Sequence, residues 1–179
     1  MSQSSTLDTD QPLDNFSQCH AGILTQLDHF QELPALLAPM MRAHQIAANM
    51  IHFFRATAFE HHQDEERELF PAVLDSSQAG EEHERVKTLI DVLTREHRAL
   101  EKQWIELEPQ LRKLTKGQPA KVDPEAVRQL VDQYREHARL EEMEFLPLSE
   151  KILGRNSNHM AALGLSLHMR HQRTLPPYI

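Results

Sequence analysis

Two stretches of this chain spell nearly the same eleven residues: His61-His-Gln-Asp-Glu65-Glu66-Arg-Glu-Leu69-Phe70-Pro71 and His137-Ala-Arg-Leu-Glu141-Glu142-Met-Glu-Phe145-Leu146-Pro147. Both fit the pattern HxxxEExx[LF][FL]P. Residues four apart lie on one face of an α-helix, so each stretch predicts a helix that aims an imidazole and a carboxylate at the same point. His62 and Glu66 have the same spacing, but the second stretch carries Ala138 in place of His62. The repeat therefore selects His61 with Glu65 and His137 with Glu141.

Working outward, the apolar residues fall in steps of three and four over four segments, roughly 12–33, 40–73, 80–116 and 123–153. Breaks are expected at Pro34 with Pro39, at Pro71 with Ala79-Gly80, at Gly117-Gln118-Pro119 and at Gly154 with Asn156. With only 5 glycines in 179 residues, long helices are favoured over a turn-rich β fold. The seams read Leu13, Phe16, His20, Ile23, Leu27, Phe30 in the first helix, and Ala47, Ile51, Phe54, Ala58, His61, Glu65, with Leu69 and Ala72, in the second. The third gives Val86, Ile90, Leu93, His97, Leu100, Trp104, Leu107, Leu111, Leu114, and the fourth Val127, Leu130, Tyr134, His137, Glu141, Phe145, Leu148, Ile152. The expected fold is all-α, an up-down-up-down four-helix bundle over residues 12–153. Before it lies a flexible N-terminus, 1–11, and after it a tail, 154–179, with a short helix near Met160 to Arg170.

Each seam carries a central histidine and two add a glutamate one turn later, so the bundle would point His20, His61, His97, His137, Glu65 and Glu141 inward. Buried carboxylates without a compensating cation cost several kcal/mol each, and the seams hold no Arg or Lys, which leaves protonation or a metal ion. Axial height separates His97 from His83. At ~1.5 Å per residue, His137 stands ~21 Å from the turn between the third and fourth helices, His97 ~28 Å and His83 ~50 Å. His83 is therefore expected at a helix end, while His29 and His52 point away from the ligand side. Tyr134, one turn before His137, reads as a core aromatic or a hydrogen-bond donor to the site.

Composition bounds the function. The balance of 40% hydrophobic and 26% charged residues is that of a folded globular domain. A net charge of −8 repels phosphate backbones, so nucleic acid is not an expected partner. No apolar run reaches membrane-spanning length and no leader pattern opens the chain, so a cytoplasmic protein is expected. The single cysteine, Cys19, suits a reducing compartment and rules out a cysteine zinc cluster. Cys19 and His20 point about 100° apart on a helix, so no nucleophile–base pair is implied.

Four His and two Glu supply six N and O ligands, enough for two ions sharing two carboxylates with positions left open. That donor set favours iron or manganese, with zinc and copper also admissible. In these motifs the chain resembles the hemerythrin-like, HHE cation-binding family of four-helix di-iron proteins. The resemblance rests on Cys19-His20-Ala-Gly-Ile-Leu, His61 to Pro71, Glu96-His97-Arg-Ala-Leu-Glu and Tyr134 to Pro147. It implies terminal ligation by His20, His61, His97 and His137, bridging by Glu65 and Glu141, two non-haem irons, and O2, NO or peroxide as the small ligand. Oxygen carriers of the family place a fifth histidine four residues from the one on the third helix; here those positions are Leu93 and Glu101. The four-His, two-Glu set is more similar to the branch associated with nitric oxide handling and iron–sulfur repair. Ferritin-type chemistry would need Glu before His, the reverse of the order here.

Turnover would require electrons from a redox partner protein, since no flavin or nicotinamide site is legible. The competing function is a metal-free or metal-gated helical interaction module, in which the tail covers the bundle or the second subunit of a homodimer.

Overall fold

The computed structural model of the chain describes residues 12–155, with side chains from His20 onward. The expectations for residues 1–11 and for the tail helix near Met160 to Arg170 lie outside the described residues. The described elements are all helical: α1 (Pro12–Phe53), α2 (Phe59–Asp64), α3 (Phe70–Ser76), α4 (Glu81–Leu114), α5 (Pro124–Leu140) and α6 (Leu146–Leu153), with π-helical turns at Phe54–Ala58, Glu65–Leu69 and Glu141–Phe145. Helix is continuous through 12–76, 81–114 and 124–153, so the described residues form three long runs.

The break expected at Pro34 and Pro39 is absent, because α1 passes through both prolines. Each removes one i→i−4 hydrogen bond and crowds a carbonyl, at about 3 kcal/mol apiece. Around them stand Leu33, Ala35, Leu36, Leu37, Ala38 and Met40, which are helix formers, and no Gly or Asn is present to turn the chain. Pro109 is carried inside α4 in the same way. The real breaks contain glycines in left-handed conformations, Gly80 at φ 105° and Gly117 at φ 65°. After the second of these, the Asp123 carboxylate accepts a hydrogen bond from the Glu125 N–H at 3.0 Å and caps α5.

The chain divides into two compact units, Met1–Ala43 and His44–Ile179. In the first, the described residues belong to α1, and His20, Ile23, Leu27 and Phe30 are exposed. In the second, α4 carries the interior stripe expected of it, with Val86, Leu93, His97, Leu100, Trp104 and Leu107 buried. Two apolar clusters form there. One gathers Phe70, Val73, Val86, Leu93, Phe145, Ile152 and Leu153; the other gathers Phe54, Ala58, Leu100, Trp104, Leu107 and Leu130. On α4, His97 falls between Leu93 of the first cluster and Leu100 of the second, so polar groups occupy the layer between two dry ones.

The π turns set which residues face that layer. A proline follows each motif glutamate by six residues; it cannot donate a hydrogen bond, and its ring crowds the carbonyl four back, Arg67 for Pro71 and Met143 for Pro147. The helix widens just before each proline, where Phe70 N–H bonds the Glu65 carbonyl and Leu146 N–H bonds the Glu141 carbonyl, both i→i+5. Each such turn adds a residue and rotates the downstream face. From Phe54 onward the buried positions of the first run are consequently Phe54, Ala58, His62, Asp64, Glu65, Phe70 and Val73, in place of a seam through His61, Leu69 and Ala72. In the last run Ser149 replaces Leu148 as the buried residue.

Candidate metal centre

Four of the six residues expected to bind metal come together. Glu65 and Glu141, each opening a π turn, meet His97 from the middle of α4 and His137 from the last turn of α5, with one ligand atom from each residue within 4.8 Å of all the others. All four are buried. Glu65 Oε2 stands 3.4 Å from His97 Nε2, and Glu141 Oε1 stands 3.2 Å from His137 Nε2 and 3.9 Å from His97 Nε2. The fifth, His61, brings Nε2 to 3.4 Å from Glu65 Oε1, but its side chain is 43% exposed. The sixth, His20, is exposed in the first unit and belongs to neither convergent group.

Sequence reasoning passed over His62, which is 1% exposed and shares a second group with His97 and His137. The π turn at Phe54–Ala58 brings it inward by one residue relative to a regular helix. Two more carboxylates were missed. Glu66 Oε1 lies 2.8 Å from His97 Nδ1, and Glu96 Oε2 lies 3.0 Å from His137 Nδ1. Each fixes a ring orientation and leaves Nε2 facing the Glu65–Glu141 pair, a carboxylate–imidazole arrangement that raises ligand basicity. Glu66 is itself paired with Arg98, which also donates to Glu101 at 3.0 Å. Glu101 is thus engaged by a cation. The signal for Glu66 was its presence in both repeats; Glu96 offered none beyond adjacency to His97.

Electrostatics follow from crowding. Burial works to lower the His97 imidazole, but Glu141, Glu65 and Glu66 outweigh it and raise it to about 9. His137 is also raised, with burial opposed by Glu141 and Glu96. Burial works to raise the Glu141 carboxyl, and contacts with His137 and His97 bring it well below the usual range. For His62, burial first and then the His97, His137 and His61 charges outweigh the opposing Glu141 charge and lower it to about 3, which keeps its ring neutral. Tyr134 is pushed up to about 12 by burial and by the Glu141 and Glu65 charges, and it packs against His62 and His137 at 5.9 and 6.0 Å as a core aromatic. His83 is at a helix end, its Nδ1 2.8 Å from Ser77 Oγ, and His29 and His52 are exposed.

The residues pass a direct test of fit to a cation. Glu65 Oε2, His97 Nε2, His137 Nε2 and Glu141 Oε1 are buried and have no hydrogen-bond partner, as have both ring nitrogens of His62. Leaving such atoms unsatisfied costs about 1–3 kcal/mol each, more for charged groups. A multivalent ion accepting electron pairs from the two carboxylates, His97 and His137 removes their cost, and imidazole with carboxylate is the donor set of iron, manganese and zinc.

Comparison with known proteins agrees with this chemistry. Residues 11–149 match the family model for the Hemerythrin HHE cation binding domain. A curated protein of Haemophilus influenzae (strain ATCC 51907 / DSM 11121 / KW20 / Rd), bearing only the description "Uncharacterized protein", is 26% identical over 159 residues, covering 85% of this chain and 89% of that one. No solved structure matches significantly. Among the described residues no helix is long and apolar enough to cross a membrane.

Proposed function

Because the chain belongs to the hemerythrin family of HHE cation-binding domains, we propose that it is a non-haem di-iron protein that binds or reacts with O2, NO or peroxide, in sensing, stress response or iron-centre maintenance. The observation that carries this reading is the convergence of Glu65, His97, His137 and Glu141, whose buried ligand atoms face one another without a hydrogen bond. The full ligand set proposed is His20, His61, Glu65, His97, His137 and Glu141, in a four-helix bundle whose first helix carries His20. Glu65 and Glu141 would supply carboxylate oxygens to the ions. Manganese and zinc suit the same donors.

Bound iron would supply open coordination positions and one-electron chemistry for a diatomic or peroxide ligand. The chain's own residues do the rest. Glu66 and Glu96 hold His97 and His137 by their Nδ1 atoms, so that Nε2 stays directed at the centre. Phe70, stacked 5.9 Å from the His97 ring, and Tyr134 keep bulk water from the two sides of the imidazole layer. Turnover would draw electrons from a redox partner protein, and a homodimer is part of this reading. A cytoplasmic place of action goes with a centre free of thiolate ligands and a single cysteine.

The test is rapid mixing of the ferrous-loaded protein with O2, NO and peroxide separately, following near-UV absorption. At least one is expected to react faster than with free ferrous ion. Full metal occupancy with no response to any of the three would count against the small-ligand reading. The competing interaction module leaves the unbonded ring nitrogens of buried His62 unexplained. It predicts that His97→Leu leaves stability unchanged or raised and has no bearing on metal.

A further inference from the structure

Among the described residues three imidazoles are buried, and of these His97 and His137 belong to the proposed ligand set while His62 does not. His62 is 1% exposed, yet neither Nδ1 nor Nε2 has a hydrogen-bond partner. A neutral imidazole carries one donor and one acceptor whichever tautomer it adopts, and Leu or Phe at this position would bury apolar surface without that cost. Ring geometry limits what the two nitrogens can do. His62 stacks on His97 with centroids 4.0 Å apart and 5° between planes. Imidazole lone pairs and N–H bonds lie in the ring plane, so those of the two rings run in parallel sheets and cannot meet on one ion. One His62 nitrogen is nevertheless within 4.8 Å of ligand nitrogens of both His97 and His137, the latter ring standing edge-on at 5.5 Å and 77°. An N–H there lies close to the metal layer and one stacking distance to the side of it, which suits a group that contacts a molecule on the metal rather than the metal itself. The ring is also held in place: Glu66 fixes His97 through Nδ1 at 2.8 Å, and Tyr134 lies against His62 at 5.9 Å and 25°. A donor whose orientation is set in advance loses little freedom when it is used.

We propose that His62 binds the exogenous ligand, donating a hydrogen bond from its ring N–H to the outer atom of a small electron-rich molecule held at an open position of the metal centre. The proposal rests on the metal-centre reading above and deepens it, because the HxxxE repeat supplies donors to the metal while His62 supplies a partner to what the metal holds. The second repeat has Ala138 at the matching position, so this partner stands on one side only. The chemical consequence is selectivity. Hydrogen bonds to a charged acceptor are stronger than those to a neutral one, so a ligand with negative charge on its outer atom, such as peroxide or azide, gains more from His62 than a neutral diatomic does.

The experiment loads full-length wild type, His62→Phe and His62→Leu with Co2+ and titrates each with azide, following the visible ligand-field bands. Both variants are expected to keep the wild-type Co2+ affinity and to bind azide about tenfold or more weakly, as the loss of one hydrogen bond to a charged acceptor requires. In 15N-histidine spectra of the Zn2+-loaded wild type, azide is expected to move the His62 N–H proton downfield. A steric effect of the substitutions would leave that proton where it is, and the spectra decide alone should both variants fail to fold. Unchanged azide affinity in the variants overturns the proposal, as does an unmoved His62 N–H. Co2+ and azide affinities that fall together overturn it too, because His62 would then act on the metal. A wild-type chain that takes up no Co2+ overturns the metal reading along with this proposal, and one that takes up Co2+ but no azide overturns the small-ligand reading along with it.

Discussion

Within and just beyond the first repeat the buried residues are His62, Asp64, Glu65, Phe70 and Val73; for the second they are His137, Glu141, Phe145 and Ser149. Aligned by sequence, the two glutamates coincide, as do Val73 and Ser149, but the flanking positions do not. The first repeat buries its second histidine, its fourth residue and its tenth, the second its one histidine and its ninth residue. In both, the phenylalanine goes inside while the neighbouring leucine is half-buried or exposed, and Phe70 and Phe145 meet edge to face at 5.0 Å. The carboxylate is therefore the fixed point of the motif, placed by the π turn that it opens. Of the phenylalanine and its neighbouring leucine the bulkier turns inward, and the π turn at Phe54–Ala58 brings His62 inside in place of His61.

The largest test of that view is on stability. Phe70→Ala and Phe145→Ala should each cost about 3–5 kcal/mol, while Leu146→Ala, at an exposed position, should stay within about 0.5 kcal/mol, all by urea denaturation. Equal losses at Phe145 and Leu146 would break the proposed one-residue offset. Next, Glu66→Gln weakens the hydrogen bond that orients His97 and should lower metal affinity by about 10–100-fold in chelator competition. Its counterpart Glu142 is exposed, and Glu142→Gln should leave affinity at the wild-type value. The smallest difference concerns the two motif histidines. His137, buried and held by Glu96, should matter more than the half-exposed His61 by on the order of tenfold in the same competition, because water can take the place of an exposed ligand more readily than of a buried one. Identical losses would indicate that the two repeats bind alike.

Much of this was legible in the sequence. The stripe of α4 from Val86 to Leu107 followed from regular helical spacing, the turns at Gly80 and Gly117 from glycine chemistry, and the meeting of Glu65, His97, His137 and Glu141 from the repeat and axial height. Three features were not. Pro34 and Pro39 looked like a break, because a proline's local cost is visible while the helix-forming strength of its neighbours must be summed over many residues. The π turns shift the interior face by one residue, so a seam drawn with constant period selects His61 over His62. The pairing of Glu96 with His137 and of Arg98 with Glu66 links residues on different helices, and no local pattern encodes it.

The central claim is that the Glu65–His97–His137–Glu141 layer holds metal, and the most direct measurement is metal content with an optical spectrum, on wild type and on the Glu65→Ala plus Glu141→Ala variant. The account predicts about two irons per chain with near-UV charge-transfer bands in the wild type, and loss of both in the variant. A well-folded wild-type sample that carries no metal after anaerobic ferrous reconstitution would contradict it.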